Sequence, residues 1–498
     1  MLRVRKVKLA SGGVSVQVVS GGHDYKIVDH IGSSKDQAKL NNLIKIAYDF
    51  VRKSEKTSPL FPENHVSESR NNIVLVSQLD FVGLNYSFAY EYLNKYYKLN
   101  GFDFLNDNLL RDLAIIRIID PCSKLRSLKL LKRYFEINYT KNTLYKGLLK
   151  FNKLKDDAEK IAFEYAKKYL SFDFSLVFFD ITTLYFETFK EDEEEFLKPG
   201  FSKDGKSQQP QILVSLVVTK EGYPIAMDTF SGNTFEGHTM IPVIEKFKDT
   251  HSIENLTVVA DAGMLSFDNI QKLVSKNIKY IVGARISNLP LKLIKELSEY
   301  LNKQEGIYFE RKTDKGLLIC DYSTKRANKN RSDRKKQIQK ALNQINSNYK
   351  QNKRLRFLKE TTKSNFTINN ELIEKDELLE GIKGYYTNLE NQSPNLIVAR
   401  YKDLWHVEKS FRIAKSDLLA RPIFHYKKES IKAHILIVFL SLCLSKAIEL
   451  KNNKSVREIK DVIMSVPDVR LLNNTTGEII TKRQKNKETE ELIKQIKY

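Results

Sequence analysis

The segment that most restricts the fold of this chain runs from residue 175 to residue 286, where short apolar stretches alternate with helical patterns. The first stretch, SLVFFDITTLYFE, is apolar on both sides, which is typical of a strand in the middle of a sheet. Two strands around a turn at Gly222 follow, then a helix, a strand, a helix capped by Ser266 and a last strand. This order predicts an α/β domain built on a five-stranded sheet with helices.

Two aspartates follow apolar strand sequences in this segment. Asp180 comes directly after LVFF, and Asp261 comes directly after LTVVA. An ionised carboxylate in so apolar a strand is costly unless an arginine, a lysine or a metal ion meets it. If the first and fourth strands are neighbours, the two carboxylates converge at the sheet edge where sites of α/β proteins collect. Two carboxylates at close range repel each other, and a divalent cation removes that repulsion.

A third acidic residue lies in YKDLWHVEKSFRIAK, residues 401–415, which holds the only tryptophan. As one continuous helix, this stretch would place aromatic and charged residues on a single face, namely Tyr401, Leu404, Trp405, Glu408, Phe411, Arg412 and Lys415. Laid against the same sheet edge, Glu408 would complete a three-carboxylate cluster with the oxygen ligands that Mg²⁺ or Mn²⁺ prefers. Two such ions would drive an in-line phosphoryl transfer.

The neighbours of Glu408 suit contact with DNA. Arg412 and Lys415 would hold the scissile phosphate, and Tyr401 and Trp405 would stack against bases or pack beside the backbone. Structural explanations remain open for each residue. Asp180 would then be a satisfied strand-end carboxylate, Glu408 would pair with Arg412 one turn away, and Trp405 would belong to the core. The occurrence of all these residues in one strand and helix order favours the phosphoryl-transfer site.

The charge of the chain, with 83 Lys+Arg against 61 Asp+Glu and a net charge of +22, indicates a polyanionic partner such as nucleic acid. A coding bias towards lysine is the alternative explanation.

Two basic amphipathic segments, SKLRSLKLLKRYF and TKNTLYKGLLKF, resemble a helix-turn-helix. The residues at the front of its second helix, where bases would be contacted, are Lys141, Asn142, Tyr145 and Lys146. Ordinary helix packing with solvated lysines is equally compatible with this pattern.

A glycine-containing loop, GFSKDGKSQQPQ, offers Lys203 and Lys206 as further phosphate ligands, with a solvated loop as the alternative.

Three widely spaced cysteines indicate neither a disulfide framework nor a zinc site, and they fit the reducing cytoplasm. The N-terminal sequence lacks the apolar core of a signal peptide. The longest apolar run, ILIVFLSLCL, is half a membrane span, so it predicts a buried helix and no membrane partner.

The motifs of the chain resemble those of bacterial insertion-sequence transposases, specifically insertion-sequence family 4 and its close relatives. The resemblance covers most of the chain and depends on DHIGSS, RIIDPCSK, FFDITTLYFE, GFSKDGKSQQPQ, FSGNTFEGHT, VVADAGMLS and YKDLWHVEKSFRIAKSDLLARPIFH. In that family the third acidic residue lies in a pattern of tyrosine, two residues, arginine, three residues, glutamate, six residues and lysine. Tyr401, Glu408 and Lys415 match this spacing, whereas Leu404 occupies the arginine position, so Arg412 would have to supply that phosphate contact.

The resemblance implies a ribonuclease H-like core with a mixed sheet and an insertion before the catalytic glutamate. It also implies that Asp180, Asp261 and Glu408 are the metal-binding catalytic triad for Mg²⁺ or Mn²⁺. The expected substrates are the terminal inverted repeats of the element and target DNA, both double-stranded, and a homodimer would bring two ends together. The expected location is the bacterial cytoplasm, at the nucleoid.

The predicted organisation begins with a small β/α module and a helical, DNA-binding region. The core follows in two parts separated by an insertion domain, and a tail closes the chain. The predicted ranges, in that order, are 1–60, 79–170, 171–286, 287–395, 396–450 and 451–498. The functional alternatives to a transposase are a metal-dependent nuclease or resolvase on the same core, and a catalytically inactive DNA-binding regulator.

Overall fold

The computed structural model describes residues 2–10, 12–22, 24–54, 78–172, 175–187, 196–200, 205, 208–264, 266–346, 355–362, 365–483, 487 and 489–492. The chain divides into two compact units. The first comprises Met1–Asp80 with Leu472–Ile479, and the second comprises Phe81–Leu471 with Ile480–Tyr498. The predicted loop residues Lys203 and Lys206 lie outside the described residues.

The first unit contains an antiparallel sheet with the order β1-β2-β3, formed by β1 (Leu2–Lys8), β2 (Val14–Ser20) and β3 (Lys26–Ser34). Helix α1 (Gln37–Ser54) packs on this sheet. Alternate strand residues Val16 and Val18 are fully buried and form a small core with the helix. This unit therefore has a hydrophobic core of its own.

Helices dominate the first part of the second unit, after β4 (Leu79–Asn85). They are α2 (Ser87–Leu99), α3 (Asn108–Ile119), α4 (Lys124–Phe135), α5 (Lys141–Phe151) and α6 (Lys155–Tyr169). Helix α4 ends at Glu136, which has a φ of 61° in the left-handed region. Thr140 begins α5, because its side chain accepts a hydrogen bond from the backbone N–H of Thr143 at 3.1 Å. The turn between α4 and α5 is therefore bounded by a left-handed residue and a side-chain cap.

A large mixed sheet forms the centre of the second unit. Its strands are β5 (Leu176–Tyr185), β6 (Gln211–Val218), β7 (Pro224–Ser231), β8 (Leu256–Ala260), β9 (Ile278–Ala284), β10 (Tyr308–Thr313), β11 (Gly316–Tyr322) and β14 (Ile382–Thr387). Within the described residues their order is β10-β11-β14-β9-β8-β5-β6-β7. Strands β5, β8 and β9 pair in parallel, and the other pairs are antiparallel.

The five strands predicted between residues 175 and 286 form one end of this sheet, in the order β7-β6-β5-β8-β9. The predicted α/β fold with a mixed sheet is therefore confirmed. Strand β5 is central, as its apolar sequence on both sides predicts. Three strands from the segment 287–395, predicted to be an insertion, extend the same sheet beyond β9 and are not a separate layer. Strands β12 (Leu358–Thr362) and β13 (Asn365–Ile368) of this segment pair with each other.

The remaining helices include the two that carry the predicted catalytic segment, α12 (Pro394–Lys402) and α13 (Trp405–Arg412). Helix α12 packs against β8, β9 and β14, and α13 packs against β5 and β6. A π-helical turn (Ile413–Asp417) follows α13 directly. The other helices are α7 (Met240–Thr250), α8 (Phe267–Ser275), α9 (Leu291–Leu301), α10 (Thr324–Asn346), α11 (Asn370–Leu378), α14 (Lys428–Asn452) and α15 (Val456–Met464).

Helix α14 contains the longest apolar run and, in the described residues, is the one helix that is long and apolar enough to cross a membrane. However, 94% of its apolar window is buried inside the protein. Its contacts with α3, α5 and β7 show where this surface lies. The predicted buried helix is confirmed, and α14 connects the helical part of the second unit to the sheet. Strands β15 (Asp468–Asn473) and β16 (Ile479–Arg483) follow α15.

Candidate active site

The register of two parallel strands brings Asp180 and Asp261 together. Phe179 of β5 pairs with Ala260 of β8, so the next residue on each strand is an aspartate. The expectation that the first and fourth strands are neighbours is confirmed. Residues in register on neighbouring strands lie on the same face of a sheet. The Asp180 and Asp261 carboxylates therefore lie side by side on one face. Asp180 is half-buried, whereas Asp261 is exposed just beyond the end of β8.

Asp180 lies between two fully buried residues, Phe179 and Ile181. Its Oδ1 accepts a hydrogen bond of 2.8 Å from the backbone N–H of Ile181, which compensates part of the cost of removing a carboxylate from water. The flanking side chains belong to the core and anchor the strand. The position of Asp180 is therefore set by the packing on both sides of it.

Asp261 is held by a tyrosine from a distant part of the chain. The Tyr401 hydroxyl donates a hydrogen bond of 3.0 Å to Asp261 Oδ1. Burial, reinforced by the charge of Asp261, raises the pKa of Tyr401 far above its usual value, so this hydroxyl stays protonated and remains a donor. The ring of Tyr401 is only 4% exposed, which corrects the prediction that it stacks against bases. What the structure shows for Tyr401 is this contact with Asp261.

Gly283 on β9 provides the space for that contact. A Cβ atom at this position would lie 2.5 Å from the Tyr401 hydroxyl and 3.0 Å from the backbone nitrogen of Ala262. Both distances are too short for a carbon atom, so any side chain here would displace the hydroxyl from Asp261. Nothing in the local sequence indicates this requirement, because Gly283 lies in an otherwise regular apolar strand.

The predicted continuous helix over residues 401–415 is wrong. Helix α12 ends at Lys402 and α13 begins at Trp405, and the backbone between them is tightened by bonds three residues apart, such as Leu404 N–H to Tyr401 O at 3.1 Å. Neither proline nor glycine marks this break in the sequence. Its consequence is that Tyr401 and Glu408 belong to different helices and face different surroundings.

Helix α13 is fixed over the turn between β6 and β7. Ser410 is fully buried, and its hydroxyl donates a 2.7 Å hydrogen bond to the carbonyl of Gly222. Gly222 has a φ of +81°, and a Cβ there would lie 3.1 Å from the carbonyl oxygen of His406. Only glycine combines this backbone conformation with so close an approach. This contact orients the exposed side of α13 away from the sheet.

The exposed side of α13 carries Trp405, Glu408 and Arg412. Glu408 was predicted on a buried face, but that face divides at the helix break, which leaves Glu408 exposed. Trp405 is 51% exposed, so it is not a core residue, and its ring stacks on His406 at a centroid distance of 3.9 Å. Among the described residues, no ion pair joins Glu408 to Arg412. Lys415 is half-buried in the π-helical turn.

Leu404 occupies the position where the resemblance leads one to expect an arginine, and it is 5% exposed. It lies in the break between α12 and α13, so its side chain fills the core beneath the site. An arginine at this position would need a different backbone path to contact a phosphate. Arg412 is exposed one turn beyond Glu408, and its role as a phosphate ligand stays a prediction.

Lys383 is a further residue of this site that the sequence did not indicate. It lies on β14, its ammonium group is 4.5 Å from the centre of the Tyr401 ring, and it is half-buried. Burial, followed by the nearby Arg326, lowers the pKa of Lys383, while Asp261, Asp321 and Glu408 oppose this shift. Lys383 therefore lies within electrostatic range of all three carboxylates. The pairing of β14 with β9, about 100 residues earlier, creates this arrangement.

A family model described as a transposase DDE domain matches residues 171–444, which is more than half of the 498-residue chain. The chain belongs to this family of transposases. The matched range contains Asp180, Asp261 and Glu408 and extends from before β5 into α14. The predicted membership of the DDE transposases is confirmed, while the assignment to insertion-sequence family 4 stays a prediction.

Among solved structures, this transposase is similar to a piggyBac transposase in a synaptic complex with hairpin DNA. The sequence identity is 8% and the TM-score is 0.37, over 70% of this chain and 68% of that chain. Similarity of this extent does not allow individual residues to be equated. A comparison with curated proteins gave no match.

Transposases of this family generally depend on divalent metal ions. The carboxylate oxygens of Asp180 and Asp261 are suitable donors for Mg²⁺ or Mn²⁺, and the register makes the two residues neighbours. Within the part of the chain that the structure describes, no group of three or more His, Cys, Asp or Glu side chains is arranged to hold a metal ion. The expected three-carboxylate cluster is therefore not assembled among the described residues.

The predicted DNA-contacting residues of α5 lie on the surface of this transposase. Lys141, Asn142, Tyr145 and Lys146 are all exposed, whereas Leu144 and Leu148 of the same helix are fully buried. The predicted helices α4 and α5 are present with the turn between them. The first two turns of α5 thus present two ammonium groups, an amide and a phenol to solvent, a surface suited to DNA.

Proposed function

We propose that this chain is the DNA transposase of an insertion sequence, which cuts DNA at the ends of its element and joins the freed 3′-hydroxyls to target DNA. One observation carries the proposal. The register of β5 and β8 sets Asp180 beside Asp261, within the range that matches the transposase DDE domain, and α13, the helix that contains Glu408, packs against β5 of the same sheet.

The proposed catalytic residues are Asp180, Asp261 and Glu408, which would hold Mg²⁺ or Mn²⁺. When bound, such ions would activate a water molecule or a 3′-hydroxyl and stabilise the leaving oxygen of the phosphodiester. Tyr401 orients Asp261 through its 3.0 Å hydrogen bond, so it is a positioning residue. Glu408 would approach the aspartate pair when DNA and metal bind.

The exposed cationic and aromatic side chains of α13 would position the DNA. Arg412 would contact the scissile phosphate, Trp405 would stack against a base or a sugar, and Lys415 would assist from the π-helical turn. The exposed residues of α5, which are Lys141, Asn142, Tyr145 and Lys146, would bind the terminal inverted repeats. Lys203 and Lys206 are proposed as further phosphate ligands. A synaptic homodimer in the bacterial cytoplasm, at the nucleoid, would cut two ends together.

A labelled duplex that carries the terminal repeats of the element tests this proposal. With Mg²⁺, the protein should nick the duplex at the end of the repeat and then produce a longer species in which the labelled end is joined to a target plasmid. Nicking without joining would indicate the alternative of a metal-dependent nuclease or resolvase. Binding without nicking would indicate an inactive DNA-binding regulator.

A further inference from the structure

A second site lies in a groove that the proposed catalytic chemistry does not use. The groove has a volume of 960 Å³ and runs between helices α4 and α5 on one side and residues 419–434 on the other. Its rim is aromatic, with Tyr145 at 52%, Phe424 at 59% and Tyr426 at 64% exposure. Tyr145 also belongs to the surface of α5 proposed to contact DNA. The groove is therefore continuous with that surface.

Two buried cations lie at the floor of this groove. Arg117 is 3% exposed and Lys124 is 5% exposed, and both line the groove. Across the described residues, neither of them forms an ion pair with a carboxylate. Arg117 donates one hydrogen bond to the carbonyl of Leu419 at 2.6 Å, while its Nε is buried with no described partner. Buried charges are normally paired, so this floor has an unmet requirement for an anion.

A histidine orients the lysine. His434 Nε2 lies 3.0 Å from the carbonyl oxygen of Ala420, and because a carbonyl only accepts, this nitrogen carries the hydrogen. Nδ1 is then the acceptor, and Lys124 Nζ donates to it at 3.0 Å. His434 is thereby held neutral in one tautomer, with Nδ1 turned towards the Lys124 amino group. The remaining hydrogens of the ammonium group are available to a ligand in the groove.

The electrostatics of the floor agree with an anion site. Burial, followed by the charge of Arg117, lowers the pKa of Lys124 well below its usual value, and burial lowers the pKa of Arg117 to about 10. Burial lowers the pKa of His425, also at the groove, to about 4. Each shift shows that the charged form of the group is disfavoured, by burial and, for Lys124 and His425, also by neighbouring positive groups. An anion between Arg117 and Lys124 would reverse these shifts.

We propose that Arg117 and Lys124 bind one backbone phosphate of DNA at the floor of this groove, while Tyr145 and Phe424 pack against the neighbouring sugar or base. A phosphate oxygen matches the planar donors of arginine and the point charge of lysine. The identity of the phosphate as part of DNA rests on the proposed function. The anion site itself rests only on the geometry of the buried cations.

The first test measures thermal unfolding of the whole chain with inorganic phosphate, with sodium chloride keeping the ionic strength constant. Phosphate should raise the Tm of the wild type by roughly 2 °C and leave that of Lys124→Met unchanged. Without phosphate, Lys124→Met should be at least as stable as the wild type, because the change removes an unpaired buried charge. Lys129→Met, an exposed lysine of the same helix, should respond to phosphate like the wild type.

A phosphate response of Lys124→Met equal to that of the wild type would overturn the site, and so would a wild type that does not respond. If Lys124→Met fails to fold, Lys124→Gln provides the same comparison with a polar side chain. For DNA, Lys124→Met should weaken binding about tenfold and reduce the salt slope by about 1. A phosphate response together with a chain that cuts no DNA would keep the anion site and refute the proposed transposase.

Discussion

At the scale of single residues, the Asp261 carboxylate is fixed by a hydroxyl that lies 140 residues further along the chain. Tyr401 is itself fixed, because its ring packs on the buried ring of Tyr385 at a centroid distance of 4.7 Å. A candidate catalytic carboxylate is thus supported by a chain of buried side chains. Such support limits the orientations of Asp261 before any metal or DNA binds.

The change Tyr401→Phe removes only the hydroxyl that donates the hydrogen bond to Asp261. We expect the rate of DNA cleavage to fall roughly 10- to 100-fold, the usual effect of losing a group that orients a metal ligand. The free energy of unfolding should fall by about 1 kcal/mol. Tyr385→Phe is the matched control, since it removes a buried tyrosine hydroxyl that bonds to Asp321. Equal losses of cleavage in both variants would contradict the positioning role of Tyr401.

The change Gly283→Ala places a methyl group against the Tyr401 hydroxyl and should reduce cleavage to a similar extent. The double variant Gly283→Ala/Tyr401→Phe should cleave no more slowly than Tyr401→Phe alone, because both changes break the same contact. Gly263→Ala is a suitable control, as the nearest atom to its added Cβ is 3.9 Å away. Losses that add in the double variant would show that Gly283 acts through another contact.

Trp405→Ala distinguishes a surface tryptophan from a core tryptophan. Because this side chain is half exposed, we expect the free energy of unfolding to change by less than about 0.5 kcal/mol. DNA affinity should fall about tenfold through lost stacking. Phe411→Ala, on the buried side of the same helix, should instead cost about 3–5 kcal/mol of stability. A large stability loss in Trp405→Ala, with DNA binding unchanged, would contradict the proposed contact.

At the scale of elements, the break between α12 and α13 decides which residues reach solvent. One straight helix would keep Tyr401 and Glu408 on a single face, as the sequence pattern suggests. The break instead buries Tyr401 at Asp261 and exposes Glu408. The sequence contains no proline or glycine here, so the departure depends on tertiary packing, including the contact of Ser410 with the Gly222 turn.

Helix α5 provides an element whose role in binding is separable from catalysis. Lys141→Ala and Lys146→Ala should each weaken DNA binding and reduce the salt slope of the binding constant by about 1, since each removes one phosphate contact. Both side chains are exposed, so stability should be unchanged. Lys160→Ala, an exposed lysine of α6, should keep wild-type binding. Unchanged affinity and salt slope in the α5 variants would refute the helix-turn-helix interpretation.

At the scale of the whole molecule, the sequence predicts the centre of the sheet better than its edges. Strand β5 is recognisable because its apolar residues occur on both sides, and its position between β8 and β6 follows. Strand β10, YFERKT, is largely exposed at the sheet edge and carries little apolar signal. Its membership of the sheet depends on pairings that only the folded chain reveals. The same is true of Lys383, whose place beside Asp261 depends on the pairing of β14 with β9.

The candidate site was predictable as a set of acidic residues but not as a geometry. Asp180 and Asp261 were identifiable from the apolar strands that precede them, and their register was expected once these strands became neighbours. The exposure of Glu408 and the hydrogen bond from Tyr401 to Asp261 could not be predicted, because both depend on the break between α12 and α13. The buried Arg117–Lys124 pair was also missed, since nothing in the local sequence separates it from solvated basic residues.

The central claim is that Asp180, Asp261 and Glu408 act together in metal-dependent cleavage of DNA, and DNA nicking by conservative variants tests it most directly. With Mg²⁺ and a duplex carrying the terminal repeats, Asp180→Asn, Asp261→Asn and Glu408→Gln should each abolish nicking while DNA affinity stays near the wild-type value. Asp268→Asn, an exposed aspartate at the start of α8, should nick like the wild type. Nicking that survives in the three triad variants would contradict the account.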